Sequence, residues 1–289
     1  MDISEIRKFE EAAKIGKKAL ELALSLIEPG AYFYDVAEKT EALILENGGK
    51  PAFPLNLSVD SDAAHYTPYT GDKTKFATGQ LVKVDIGAQI DGYPSDNAAT
   101  IEVGNTGKHS DLIDASRNAL NNAIRNLRPT MKVGQIGAHI SKTITSYGFK
   151  PIRNLGGHGI SRYDLHSRIF IPNYDDGNGR TLEKDSVIAI EPFASTGTGM
   201  IHNGPGGNIY ILSGTTKRDE VIMKNFSTLP FAERWLSKVE NNGQEYLKQM
   251  MKKKEVSQFP ILREHRGVFI SQAEHTILVR GDEIRVLTS

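Results

Sequence analysis

The 289-residue chain contains no cysteine. That excludes disulfides, thiolate zinc sites and a cysteine nucleophile, so any metal must be held by carboxylate and imidazole. Net charge is also missing, with 35 basic and 35 acidic side chains. Such a balance argues against a protein built to track nucleic-acid phosphates or anionic membranes, and neither partner is expected. No apolar run approaches the ~18 residues of a membrane helix. The first residues form a charged amphipathic segment rather than a signal peptide, so the cytoplasm is the expected location. The apolar fraction of 39% and the 27 glycines suit a soluble globular protein, long enough for one large core or two ordinary domains.

What is present centres on residues 81–103, LVKVDIGAQIDGYPSDNAATIEV. Val82, Val84 and Ile86 alternate with Lys83 and Asp85, the period of a half-buried strand. Asp91-Gly92 suits positive φ, and a second apolar run follows to Val103, so the stretch reads as a hairpin. Whether the turn centres on Ile90-Asp91 or Asp91-Gly92, Asp85 and Asp96 fall on one face of neighbouring strands. Two carboxylates that close repel unless a proton or a cation lies between them. Two solvated surface aspartates would be the bland alternative, and the hairpin alone leaves it ahead.

An internal repeat changes that balance. Residues 4–28 carry helical periodicity (Ile6, Phe9, Ala13, Ala19, Ala23) and stop at Pro29-Gly30. A second helix covers 34–47 and ends at Asn47-Gly48-Gly49. At an offset of one hundred, Pro29 meets Pro129, Val36 meets Ile136, Ile44 meets Ile144, and Gly48, Lys50 and Pro51 meet Gly148, Lys150 and Pro151. The repeat predicts a second acidic hairpin. VKVDIGA (82–88) is echoed by VIAIEPFA (187–194), which puts Glu191 at the Asp85 position. SDNAATIEV (95–103) is echoed by AEHTILV (273–279), which puts Glu274 at the Asp96 position. About eighty residues separate these arms, too many for a bare loop. We read roughly 196–268 as a small inserted subdomain, helical over 229–254, with Gly204–Gly207 as a flexible turn. Lys252–Lys254 is a solvated helix end.

Four carboxylates facing one another across a pseudo-twofold axis would repel strongly. Two divalent cations resolve this, and paired metals polarise a carbonyl or phosphoryl oxygen and activate water. A histidine ligand would favour a transition metal over calcium or magnesium. Residues 153–168, RNLGGHGISRYDLHSR, offer His158 and His166; Gly156-Gly157 allows close backbone approach and lets His158 project into the cleft. His65 lies in the equivalent loop of the first half. His109 and His139 carry no site signal, His202 reads mainly as a loop residue, and strand alternation turns His275 away from Glu274.

HYTP (65–68), KVDIGAQIDGYPSD (83–96), GGHGI with LHS (156–167), AIEPFA (189–194) and AEHTILV (273–279) together resemble the methionine aminopeptidases of type 2, in their short form. The likeness covers essentially the whole chain, and the type rests on the insertion, including NFSTLPFAERWL (225–236) and FPIL (259–262). One departure is Gly156-Gly157, where the family more often has Ser-Gly. The resemblance implies the α+β pita-bread fold: two pseudo-symmetric helix-helix-hairpin halves in a single catalytic domain over 1–289. It implies two divalent ions, drawn from cobalt, manganese, iron or zinc. Asp85 resembles the chelating ligand of one ion, Asp96 and Glu274 the bridging carboxylates, and His158 and Glu191 the remaining ligands. His65 and His166 match the family's substrate-contacting histidines, and Phe53 and Phe259 fall near its methionine pocket.

The activity so implied is removal of the initiator methionine from nascent peptides whose second residue is small. Glu191 would be the proton shuttle, His166 would hydrogen-bond the scissile carbonyl, and His65 would contact the backbone beyond it. A monomer is expected, with the ribosome a candidate partner. One rival is an X-Pro dipeptidase-like hydrolase of the same fold, although those usually carry a domain before the repeat. Another is a non-catalytic binding relative, which would be expected to lose ligands that are all present here. A dinuclear phosphoesterase would want a basic phosphate clamp, which the sequence does not offer.

Overall fold

The computed structural model describes residues 1–213 and 219–289; residues 214–218, inside the expected insertion, lie outside the described residues. Helix α1 spans Ile3–Leu26, opened by a capping box in which Asp2 and Glu5 bond each other's backbone N–H at 2.9 and 2.8 Å. Helix α2 spans Phe33–Glu46, α3 Ser110–Asn126 and α4 Val133–Ser146. Short strands follow α2 at Lys50–Pro51 and α4 at Lys150–Pro151. The second helix and the strand after it thus recur one hundred residues on, as the sequence repeat requires.

The central sheet is antiparallel. Its strands are β1 (Asn56–Val59), β2 (Leu81–Ile86), β3 (Asn97–Glu102), β4 (Gly156–Ser161), β5 (Asp164–Pro172), β6 (Ser186–Ile190), β7 (Glu274–Arg280) and β8 (Glu283–Val286). They run in the order β5-β4-β6-β7-β3-β2-β1, with β8 also on β7, so the two hairpins meet where β7 pairs with β3. Val82, Val84 and Ile86 of β2 pack beneath α1 and α2, while Ile188, Ile190 and Ile277 pack beneath α3 and α4. Asp85 turns to the opposite side. Period 2 thus sorts β2 into a core face and a site face.

Each hairpin bends out of this sheet. After Ile86 the first continues as Ala88–Ile90 against Tyr93–Pro94 and Lys50–Pro51. Ile90 faces Tyr93, so the turn centres on Asp91-Gly92, both at positive φ (50° and 84°). After Ile190 the second continues as Phe193–Ser195 against Ile270–Gln272 and Lys150–Pro151. Gly87 permits the first bend, because a Cβ there would lie 2.0 Å from the Ser95 carbonyl oxygen.

The register corrects one equivalence. Asp85 pairs with Ala98, whereas Ile190↔His275 and Phe193↔Gln272 leave Glu191 opposite Glu274. Glu191 is therefore the counterpart of Asp85, but Glu274 corresponds to Ala98, and the counterpart of Asp96 is Gln272. Aligning the halves by motif slid one strand by two residues. A two-residue slide keeps every side chain on its own face, so alternation could not reveal it.

Within 196–268 the stretch Gly204–Gly207 is not a turn. It lies in a strand, His202–Leu212, that pairs with Val256–Arg263 across two register shifts. Glycine is needed there for approach: a Cβ on Gly207 would lie 1.6 Å from the His65 carbonyl oxygen. The expected helical stretch 229–254 begins as a short strand, Phe231–Ala232, before α6 (Glu233–Val239) and α7 (Gly243–Lys252). With α5 (Glu220–Phe226) these elements enclose an apolar cluster of their own, built on Ile222, Phe231, Leu236, Leu247 and Met250.

The same segment grips the first half at several points. Its sheet adds Asp62–Ala64 as an outer strand. Glu233 accepts from the Thr70 N–H at 3.0 Å, and Trp235 Nε1 donates to Glu41 Oε2 at 2.6 Å. The fully buried Arg234 guanidinium also bonds Glu41, which accepts the Leu55 N–H at 3.0 Å. Burial pushes the Glu41 carboxyl up and Arg234 pulls it down. With three donors converging on it, we assign the carboxylate form.

Candidate active site

A cavity of about 500 Å³ opens on the site face of the central sheet, and every residue singled out from the sequence lines it: Phe53, His65, Asp85, Asp96, His158, His166, Glu191, Phe259 and Glu274. Asp85 comes from β2, Asp96 from the bend before β3, Glu191 from the bend after β6, and Glu274 opens β7. His158 is on β4, whose glycines allow tight strand contact: a Cβ on Gly156 or Gly157 would come within 2.3 or 2.2 Å of a neighbouring carbonyl oxygen. The backbone approach expected of Gly156-Gly157 is therefore realised inside a sheet.

His158 Nε2 lies 3.6 Å from Asp96 Oδ2 and 3.7 Å from Glu191 Oε1. One ligand atom each from Asp96, His158 and Glu274 lie within 4.8 Å of one another. Burial pushes all four carboxyls up, Asp85 to about 6, and the neighbouring carboxylates push Asp96, Glu191 and Glu274 further in the same direction. Burial also holds the His158 imidazole down to about 3, so it is neutral and free to donate a lone pair. Among the described residues no lysine or arginine forms a salt bridge to the four carboxylates. Asp85 Oδ1, Asp96 Oδ1 and Glu274 Oε1 are buried without a hydrogen-bond partner. Orphaned carboxylate oxygens beside a neutral imidazole are the donor set a divalent cation requires, and these residues fit one.

The remaining wall is apolar. Phe53 packs with Leu165 and Leu229, while Phe259 meets the His65 ring edge-to-face at 5.1 Å. The His166 ring sits 4.4 Å from that of His158, and His65 Nδ1 is 3.3 Å from the Pro260 carbonyl oxygen. His65 has φ of +70°, held by an N–H to Asn56 Oδ1 bond of 2.7 Å. Of the other histidines, His275 turns to Thr288 Oγ1 at 2.9 Å and His202 to the His265 ring at 5.5 Å. His109 stands at the N-terminal end of α3, buried against Phe269.

Sequence reading missed Asn56 and the wall residues Ile209 and Pro230 of the 196–268 segment, and it missed Gln272, buried beside the carboxylates. Gln272 Nε2 is within 3.3 Å of Asp85 Oδ2 and 3.4 Å of both Glu191 Oε2 and Glu274 Oε2. Its position two residues before Glu274, on the same strand face, was the available signal.

Comparison with known proteins decides between the readings. Residues 7–279 match metallopeptidase family M24. Over 296 residues the chain is 41% identical to the methionine aminopeptidase of Methanocaldococcus jannaschii, covering 100% of both chains. This chain belongs to metallopeptidase family M24, among its methionine aminopeptidases. A solved methionine aminopeptidase from Thermotoga maritima superposes with a TM-score of 0.74 at 26% identity, over 100% of this chain and 98% of that one. A prolidase from Pyrococcus furiosus shares the fold, with a TM-score of 0.64 at 22% identity, but this chain spans only 64% of it. The family's pita-bread architecture and metal-dependent hydrolytic chemistry thus apply to this chain, and the X-Pro dipeptidase reading is the weaker one. No described helix is long and apolar enough to cross a membrane.

Proposed function

We propose that this aminopeptidase is of type 2 and removes the initiator methionine from nascent peptides whose second residue is small. Its ligands would be Asp85, Asp96, His158, Glu191 and Glu274, holding two divalent ions drawn from cobalt, manganese, iron or zinc. Bound there, the ions would supply Lewis acidity toward the first peptide carbonyl and lower the pKa of water. One observation carries the reading: a buried, cation-seeking cluster of four carboxylates and a neutral imidazole opens onto an apolar-walled cavity.

The chain's own groups divide the remaining work. The Glu191 carboxylate takes the proton from the attacking water and returns it to the leaving amine. His166, at the rim beside His158, donates to the scissile carbonyl oxygen. His65, oriented by Pro260 and Phe259, contacts the peptide backbone beyond it. Phe53 and Phe259 give the methionine side chain an apolar seat.

We take 196–268 as an inserted subdomain of one catalytic domain, a division supported by its separate apolar cluster. A cytoplasmic monomer acting on nascent chains, with the ribosome a candidate partner, goes with this reading. The test is hydrolysis of Met-Ala-Ser and of an X-Pro dipeptide after reconstitution with each metal in turn. Methionine release from the tripeptide alone is the expected result; turnover confined to the X-Pro dipeptide would overturn the assignment.

A further inference from the structure

The pseudo-twofold relation gives Asp96 a partner that is not a carboxylate. The backbone around the two positions is duplicated in detail. The Asp96 N–H donates to Thr276 Oγ1 at 2.7 Å, and that hydroxyl donates back to the Asp96 carbonyl at 2.7 Å. The Gln272 N–H donates to Thr100 Oγ1 at 2.7 Å, and that hydroxyl returns to the Gln272 carbonyl at 2.7 Å. Ser95, one residue before Asp96, donates to the Ala12 carbonyl of α1, and Ser271, one residue before Gln272, donates to the Leu112 carbonyl of α3. Each half therefore ties the same strand position to the opposite half through a threonine and to its own first helix through a serine. Only the side chain differs, an aspartate in one half and a glutamine in the other.

The glutamine is 1% exposed and lies inside the cluster. Its amide nitrogen faces one oxygen each of Asp85, Glu191 and Glu274, from both hairpins, at 3.3 to 3.4 Å. An amide offers two N–H groups, so three acceptors share them, and the donor ties together carboxylates that otherwise repel. It presents hydrogen rather than negative charge where the symmetric partner presents a carboxylate. Gln272 Oε1 is buried without a partner and pins no other group in the cluster.

We propose that Gln272 is a positioning residue of the metal centre. It orients Asp85, Glu191 and Glu274 toward the ions and keeps the centre at four carboxylates where the duplicated fold has room for a fifth. This rests on the metal-dependent aminopeptidase reading above. Groups that orient ligands are typically worth 10–100-fold in metal affinity.

The test is calorimetric titration of the metal-free full-length protein with manganese(II) and with cobalt(II), accompanied by melting curves. Wild type is compared with Gln272→Met and Gln272→Glu. Gln272→Met, which keeps the length but donates nothing, is expected to bind either ion at least tenfold more weakly and to broaden the electron paramagnetic resonance spectrum of bound manganese. Gln272→Glu, which also loses the donor but adds a carboxylate, is expected to melt lower when metal-free and to bind the ions at least threefold more tightly than Gln272→Met. A purely packing role predicts no difference in affinity between the two variants. Both variants binding within threefold of a competent wild type overturns the proposal. A wild type that binds neither ion overturns the metallopeptidase reading itself.

Discussion

Replacing Gly207 with alanine would drive a methyl group into the backbone of the loop that presents His65. The new Cβ would stand 1.6 Å from the His65 carbonyl oxygen, about 1.4 Å short of the 3.0 Å that real contacts respect. Neither side yields cheaply. His65 is already at φ +70°, pinned by Asn56 Oδ1, and Thr67 N–H donates to the Gly207 carbonyl at 3.0 Å. Asn208 Nδ2 adds a bond of 2.9 Å to the Thr67 carbonyl. Overpacking of this kind costs about 1–3 kcal/mol, and losing one or two of these bonds adds roughly 1 kcal/mol each. A stability loss of about 2–5 kcal/mol is expected in denaturant unfolding of Gly207→Ala. The functional effect follows from displacement, since misplacing a substrate contact by ~1 Å costs on the order of 10²-fold in rate. Hydrolysis of Met-Ala-Ser should fall about a hundredfold in kcat/KM while manganese(II) affinity stays at the wild-type value, because Gly207 touches no carboxylate of the cluster. Wild-type kcat/KM and unfolding midpoint in this variant would refute the reasoning.

Three further outcomes follow from single groups. Burial, reinforced by His166, holds the His65 imidazole down to about 4 from 6.5, so between those pH values the unfolded chain binds a proton that the folded chain refuses. The associated stability is complete above pH 6.5 and is lost as pH falls toward 4. His65→Gln should flatten the dependence of unfolding free energy on pH in that window by at most about 1.4 kcal/mol per pH unit. Glu264 is buried and accepts from Ser195 Oγ, Thr198 N and Gly199 N at 2.8 to 2.9 Å, so Glu264→Ala should lower stability by about 3 kcal/mol, measured as a melting-temperature drop of roughly 5 °C. Chelation of divalent ions should lower the melting temperature of the loaded enzyme by the equivalent of about 2.7 kcal/mol for each ion that had been present at a hundred times its dissociation constant.

What the sequence made legible was periodic or repeated. Periodicity located α2 to within one residue at each end, the offset of one hundred carried it over to α4, and period-2 alternation put Asp85 and Asp96 on one face. The same alternation could not distinguish Gln272 from Glu274 as the counterpart of Asp96, because both share that face. The capture of Asp62–Ala64 by Val256–Arg263 has no local signal either, since it is set by a pairing almost two hundred residues apart in the chain. Gly207 looked like turn punctuation because a glycine needed for close approach reads the same as one needed for a turn. Glu264 sits among charged residues in LREHRG (262–267), and nothing in that run distinguishes a buried carboxylate from a solvated one.

The two hairpins differ in how far along the chain their arms lie from one another. Strands β2 and β3 meet across the Asp91-Gly92 turn, while β6 and β7 pair only after the whole stretch between Ile190 and Glu274 has been crossed. Closure entropy grows by about 0.6 kcal/mol per doubling of loop length, and ~80 residues against ~10 is roughly three doublings, or about 2 kcal/mol. A pairing that closes so long a loop is expected to form after a local one, because the closure entropy is lost before the contact compensates it. On that order Asp85 and Asp96 would be set by local closure, and Gln272 and Glu274 would join them later. A cation that needs both pairs would then recognise only the finished state, lengthening its lifetime without changing its rate of formation. Chelation should accordingly speed unfolding and leave the refolding rate unchanged, which stopped-flow kinetics would read.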